Sequence, residues 1–344
     1  MGKTKIEQID GLNFTETIAK IPFGDGKEMI LKTGKLAKQA NGAVLAQVGG
    51  TAVLAAAVMS DKPTDKDFFP LMVDYREKFY ASGRIPGGFF KREARPSDAE
   101  TLRARITDRT LRPLFPKGFK HEVIIFITVI GMDLENPAEI VAMCAASAAL
   151  HISDIPFSRP VAGVRVGRVD GDFVVNPSFI QMDESDMDLI VAGHSEAINM
   201  VEAGSAEVGE EKMVEALTLA HDTIKKIVAG MDDLRKKAGK DKVEFVEPEA
   251  DKALVKKLEK MFKPHMKEIE ATFEKKARDE RFAKACDEIL EELGEEYEER
   301  AGEVKGILHD FDEENMRKNV VAKGQRADGR KPTEIRPIWS EIDV

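Results

Sequence analysis

Two adjacent phenylalanines, Phe89 and Phe90, lie between a glycine pair and a run of cations in the stretch Gly83-Arg84-Ile85-Pro86-Gly87-Gly88-Phe89-Phe90-Lys91-Arg92-Glu93-Ala94-Arg95. Glycines hold such a loop open and the flanking charges favour water, so both rings are difficult to bury. Exposed rings stack on nucleobases without sequence preference while cations hold the phosphates, which is what a single-stranded nucleic-acid site needs. Phe89, Phe90, Lys91, Arg92 and Arg95 form the first candidate site. The competing reading folds the rings back onto the core.

Arg105, Arg109 and Arg112 follow at i, i+4 and i+7, sharing one helix face about a quarter turn from Leu102 and Ile106. Three guanidiniums on one edge can grip a phosphate or a ribose-phosphate backbone. Asp108 lies one turn from both Arg105 and Arg112, so a structural ion-pair network is the alternative. Gly193-His194-Ser195-Glu196-Ala197 has the outline of a serine nucleophile elbow, but β-like sequence follows it where a helix should open. A polar hairpin turn is the better reading, and a serine hydrolase the weaker one. His121, His151 and His194 lack metal-ligand spacing, and neither H-E-x-x-H nor a Walker A run occurs. Asp183, Glu184, Asp186 and Asp188 read as a solvated acidic turn, not a metal site. Cys144 and Cys286 form no C-x-x-C pair and read as buried thiols in a reducing compartment.

Elements must hold these residues in place. Ala43 to Val48 and Thr51 to Met59 form a hairpin split by Gly49-Gly50, preceded by a short helix from Lys35 to Ala40. Ser97 and Glu100 make a capping box that starts the arginine helix, and Pro113 stops it. After a strand from Val123 to Ile130, Asn136 supplies an N-cap and Pro137 the first position of a helix running to His151. That helix is apolar nearly all round and belongs between layers. Asp170-Gly171 turns another hairpin. Strands follow at Asp188 to Ala192 and Ala197 to Val201, and an amphipathic helix then ends before Gly239. Beyond Pro248 the pattern is wholly helical, with stripes interrupted at Pro264, and Lys331 to Ile338 looks like the opening strand of a further domain.

The 344 residues, 42% apolar and 33% charged, fit two or three globular domains. No apolar run reaches the roughly 20 residues that span a bilayer, and no secretory signal is visible, so the expected location is the cytoplasm without membrane contact. The net charge of -10 is uneven: from Leu71 to Lys120 twelve Lys and Arg face six Asp and Glu, one basic region on an acidic body.

At these residues the chain resembles the polynucleotide phosphorylase family. The resemblance is carried by Asp67-Phe68-Phe69-Pro70-Leu71, Gly83 to Gly87, Phe89-Phe90-Lys91-Arg92, Leu111-Arg112-Pro113-Leu114-Phe115-Pro116, Ile140-Val141-Ala142-Met143 and Asp188 to Gly193. It implies an α+β ribonuclease PH-like core domain, with mixed sheets and packed helices, over residues 1–240. A small all-helical domain over 245–322 and the opening of a second core over 323–344 should follow. The family's reaction is processive 3′ to 5′ phosphorolysis of single-stranded RNA in mRNA degradation, with inorganic phosphate as co-substrate and magnesium as cofactor. Its site lies in the second core, so no complete catalytic site and no metal site are expected here. In this first core Met182 stands where a carboxylate is expected and Ile190 where a lysine is, while Asp188 remains. Asn136-Pro137-Ala138-Glu139 replaces a serine-rich phosphate loop, and Glu139 should repel phosphate. Lys91 replaces the usual arginine, keeping charge but losing the planar fork. The chain is thus expected to guide RNA and help assemble a homotrimer, with an RNA-degradation complex as a further partner. A self-sufficient RNA-binding or assembly module is the alternative.

Overall fold

The computed structural model describes residues 4–66, 68–89, 91–93, 95–133, 135–247 and 251–342, with Glu295 as backbone. The chain divides into two compact units, Met1–Glu247 and Pro248–Val344.

The first unit begins with antiparallel strands β1 (Lys5–Asp10), β2 (Thr15–Pro22), β3 (Glu28–Thr33), β4 (Gly42–Val48) and β5 (Thr51–Pro63). Strand β6 (Leu71–Glu77), helix α1 (Asp98–Leu111) and strand β7 (His121–Gly131) complete a seven-stranded sheet of order β1-β2-β3-β4-β5-β7-β6. Only β6 runs parallel to its neighbour, and it forms one edge. Helix α2 (Ala138–Ile152) is followed by β8 (Ala162–Val169), β9 (Asp172–Val175), the short α3 (Phe179–Asp183), β10 (Met187–Gly193), β11 (Ile198–Ser205) and α4 (Glu210–Ala238). The second sheet has the order β11-β10-β8-β9.

Every residue of α2 except Glu139 is buried. Its alanines allow backbones to approach closely, and it packs on β4 and β5 on one side and β8 and α4 on the other. A helix apolar all round has no face to offer water, so it is the layer between the two sheets. The Ser97–Glu100 capping box starts α1, and Asp170 (φ 51) with Gly171 (φ 87) turns the β8–β9 hairpin. Phe115 packs against Phe69 at 4.6 Å and Phe157 at 5.3 Å between ring centroids, so the Leu111 to Pro116 segment is a core anchor.

One hub was not foreseen. Asp133 accepts hydrogen bonds from the N–H groups of Gly50 (2.8 Å), Glu135 (3.0 Å) and Asn136 (2.9 Å) and from Asn136 Nδ2 (2.7 Å). It ties the β4–β5 turn to the start of α2, and Gly49 is needed there because a Cβ would lie 2.6 Å from Asp133 Oδ2. Burial alone would raise the Asp133 pKa, but the donors outweigh it and hold the carboxyl well below its ordinary 3.8. A lowered folded-state pKa stabilises above the unfolded value, and the gain fades as pH falls through the folded one. Asp133→Asn should therefore cost about 2 kcal/mol at pH 7. The gap between variant and wild-type urea midpoints should shrink below pH 3.8, and a gap independent of pH would refute this.

Several local expectations fail. Lys35 to Ala40 is a turn, because Ala37 at φ 47 is left-handed and cannot continue a right-handed helix. Asn136 does not cap α2, which begins after Pro137 without a side-chain cap; its amide serves Asp133 and Lys27.

In the second unit α5 (Lys252–Glu270), α6 (Lys275–Leu293) and α7 (Ala301–Lys323) bury Leu254, Leu258, Phe262, Ile269, Ile289 and Leu308 in one core. Helix α5 runs through Pro264 without a break, since Phe262 and Ile269 on either side are buried in the same core and hold both turns in line. Residues 331–338 form no strand. Among the described residues no strand lies alongside them, and a strand without a neighbour has no ladder to stabilise it.

Candidate nucleic-acid interface

The candidate loop leaves the edge strand β6. After Glu77 the chain makes a 3-10 turn, Phe79–Ser82, closed by Gly83 at φ 71. Phe89 is 92% exposed, and Lys91, Arg92 and Arg95 are exposed with it. Phe90 and Ala94 lie outside the described residues. On the return, Glu93 accepts hydrogen bonds from Lys78 Nζ at 2.6 Å and the Phe79 N–H at 2.7 Å. The Lys78 hydrogen bond, then the Phe79 N–H, keep the Glu93 carboxyl below its ordinary range.

Arg105 and Arg109 of α1, with Arg112 just beyond it, line a groove of about 580 Å³ with Leu71, Met72 and Leu102. Arg105 is exposed there. Arg109 pairs with Glu202 of β11 at 2.6 Å. Arg112 is committed to Asp108 at 2.7 Å and to the carbonyls of Phe69 (2.9 Å) and Leu71 (3.2 Å), which fixes the start of β6. The expected shared face exists, but two of its three cations already hold carboxylates.

A chain of ion pairs runs from the base of the loop into the core. Tyr75, buried, donates to Glu77 Oε1 at 2.7 Å, and Arg103 Nη1 reaches the same oxygen at 2.5 Å. Burial, then the Glu77 charge and hydrogen bond, push the Tyr75 phenol far above its usual range. Arg103 Nε lies 3.8 Å from Glu139, and Arg165 Nη1 donates to the other oxygen of Glu139 at 2.6 Å. Arg165 Nε is 2.9 Å from Asp188 Oδ1. The Arg165 and Glu139 side chains are only 14% and 11% exposed. Glu139 occupies the first turn of α2, where the helix dipole favours an anion.

This changes two expectations. Glu139 is not a bare charge facing phosphate, because two guanidiniums neutralise it. The acidic turn is only partly solvated: Asp183 and Glu184 are exposed, whereas Asp186 pairs with Arg168 and Asp188 with Arg165. Ile190 is buried. Gly193 to Ala197 is the polar turn between β10 and β11, with the His194 N–H donating to Ala197 O at 2.9 Å. Cys144 and Cys286 are both buried and free, and burial pushes the Cys144 thiol up to about 12. Sequence reasoning missed Lys78, Glu93, Arg103 and Arg165. Only the run of cations around Glu93 hinted at a local counter-charge.

A sequence profile of the 3′ exoribonuclease family, domain 1, matches residues 25–156, and domain 2 of the same family matches 159–223. A third profile, polyribonucleotide nucleotidyltransferase, RNA binding domain, matches 253–331. The polyribonucleotide nucleotidyltransferase of Geobacter sulfurreducens is 45% identical over 331 residues, 96% of this chain and 47% of that protein. The chain belongs to the 3′ exoribonuclease family, in its polyribonucleotide nucleotidyltransferase branch. The namesake from Staphylococcus saprophyticus is 46% identical over 323 residues, 92% of this chain and 46% of its own length. The chain therefore spans about half the length of the curated relatives it matches, and its similarity is to their N-terminal half. The crystal structure of rice (Oryza sativa) Rrp46 covers 63% of this chain and 98% of its own, with a TM-score of 0.52 at 15% identity. That likeness concerns the α+β, ribonuclease PH-like fold, and in this chain helices follow that core. No helix among the described residues is long and apolar enough to cross a membrane.

Proposed function

We propose that this chain is the RNA-guiding and assembly part of a phosphate-dependent, processive 3′ to 5′ exoribonuclease that degrades single-stranded RNA. The observation that carries the reading is a contrast within one unit. Where the resemblance puts the family's phosphate loop and catalytic carboxylates, Glu139 and Asp188 both pair with Arg165, while the loop carrying Phe89, Lys91, Arg92 and Arg95 is exposed. In this reading the loop rings stack on bases, the cations hold phosphates, and Arg105 with Arg109 supports RNA or phosphate on the adjoining groove. Residues 1–240 form the guiding core, 245–322 the helical domain and 323–344 the opening of a second core. The whole protein would be a cytoplasmic homotrimer, with an RNA-degradation complex as a possible larger assembly. Magnesium does not fit the first core, because Asp188 is spent on Arg165 and Ile190 is buried; no step through it is assigned to this chain.

The chain by itself is expected not to phosphorolyse RNA. With Met182 and Ile190 in place of a carboxylate and a lysine, and Pro137 and Ala138 in place of serines, the first core would be unable to neutralise charge on a transferring phosphoryl group. Incubation with RNA, inorganic phosphate and magnesium should release no nucleoside diphosphate above a protein-free control. Release by the purified chain would favour the rival reading of an enzyme complete in itself.

A further inference from the structure

We propose that Glu93 is a positioning residue that aims the loop at RNA, an inference that rests on the RNA reading above. The loop leaves the core through a rigid stem. Glu77, at the end of β6, is held by Tyr75 and Arg103 through its carboxylate and by Glu100 through its N–H at 2.8 Å. Gly83 N–H donates to Tyr80 O and Arg84 N–H to Phe79 O, both at 3.0 Å, which sets the outgoing limb. Glu93 then closes the return limb onto Lys78 and Phe79, and Ser97 with Glu100 begins α1 four residues later. One carboxylate therefore ties both ends of the loop to one stem, and Phe89, Lys91 and Arg92 are presented between them.

Two opposed consequences separate aiming from mere charge balance. Glu93 also neutralises Lys78, so removing it liberates a cation and should steepen the salt dependence of binding by about 0.7 on the log–log scale. If Glu93 were only a counter-charge, its loss would tighten binding. If it aims the loop, affinity falls despite the extra cation, because more residues must be ordered when RNA binds. Stability hardly enters, since loop-closure entropy grows only with the logarithm of loop length.

The test uses this chain, a fluorescein-labelled unstructured oligoadenylate and the variants Glu93→Ala, Glu93→Gln and Lys78→Met/Glu93→Ala. Glu93→Ala should bind about tenfold more weakly, the cost of ordering roughly one further residue. Its salt slope should be steeper, and trypsin should cut after Lys91 and Arg92 several-fold faster, with the melting temperature retained. Glu93→Gln keeps one acceptor and should fall between, while the double variant should return to the wild-type slope without recovering affinity. Unchanged trypsin cutting, or unchanged or tighter RNA binding in Glu93→Ala, overturns the proposal. Should Phe89→Ala and Arg92→Ala also bind like wild type, the failure belongs to the RNA reading and not to the anchor.

Discussion

Replacing Lys91, Arg92 and Arg95 together with glutamine is expected to lower the salt slope of single-stranded RNA binding by about 2, because each lost phosphate contact removes about 0.7. The same relation implies roughly a hundredfold weaker binding at about 0.1 M salt. Phe89→Ala should behave differently. Losing a stacked ring costs about 1–3 kcal/mol, or roughly fivefold to more than a hundredfold in affinity, and leaves the slope unchanged because no phosphate contact is lost. All four side chains are exposed, so melting temperatures should stay close to wild type. Fluorescence anisotropy across a salt series measures slope and affinity together. Wild-type slopes and affinities in both variants would remove the loop from the interface, leaving the basic window around it as a solvated surface.

The second large effect concerns stability. Arg165→Met should leave Glu139, which is nearly buried, with only Arg103 at 3.8 Å, and Asp188, which is half-exposed, without its cation. Breaking a buried pair from one side costs about 3–5 kcal/mol, and the exposure of Asp188 argues for the lower end. At about 2–4 °C per kcal/mol for a unit of this size, the melting temperature should fall by roughly 6–12 °C. Arg165→Met combined with Glu139→Leu should recover much of the loss, since replacing both partners removes the uncompensated charge. Calorimetry that shows no shift in the single variant would mean that the pair is incidental. A recovered double variant would show that the pair works as a structural joint between α2 and β8.

Much of the fold was legible in the chain itself, for local reasons. Asp170-Gly171 and Gly49 specify turns through positive φ, and Ser97 with Glu100 begins a helix through its own hydrogen bonds. The all-round apolar run from Ala138 to Ile152 had to lie between layers, and the motifs around Phe89 and Leu111 to Pro116 already carried the family resemblance. Each of these depends on residues a few positions apart. What the chain did not disclose depends on residues far apart. Glu139 meets Arg165 across 26 positions, Arg109 meets Glu202 across 93, and Asp133 gathers the N–H of Gly50 across 83. Pro264 could remain helical only because buried neighbours overrode its local cost, and Lys35 to Ala40 turned because no such packing supported a helix. Hydrophobic period, turn and cap chemistry are written in short windows, so sequence alone determined most of the elements of the first unit. Charge pairing is set by which strands and helices become neighbours, so only the tertiary structure decided that Glu139 is neutralised, Arg112 committed and Glu93 drawn onto the stem of its loop.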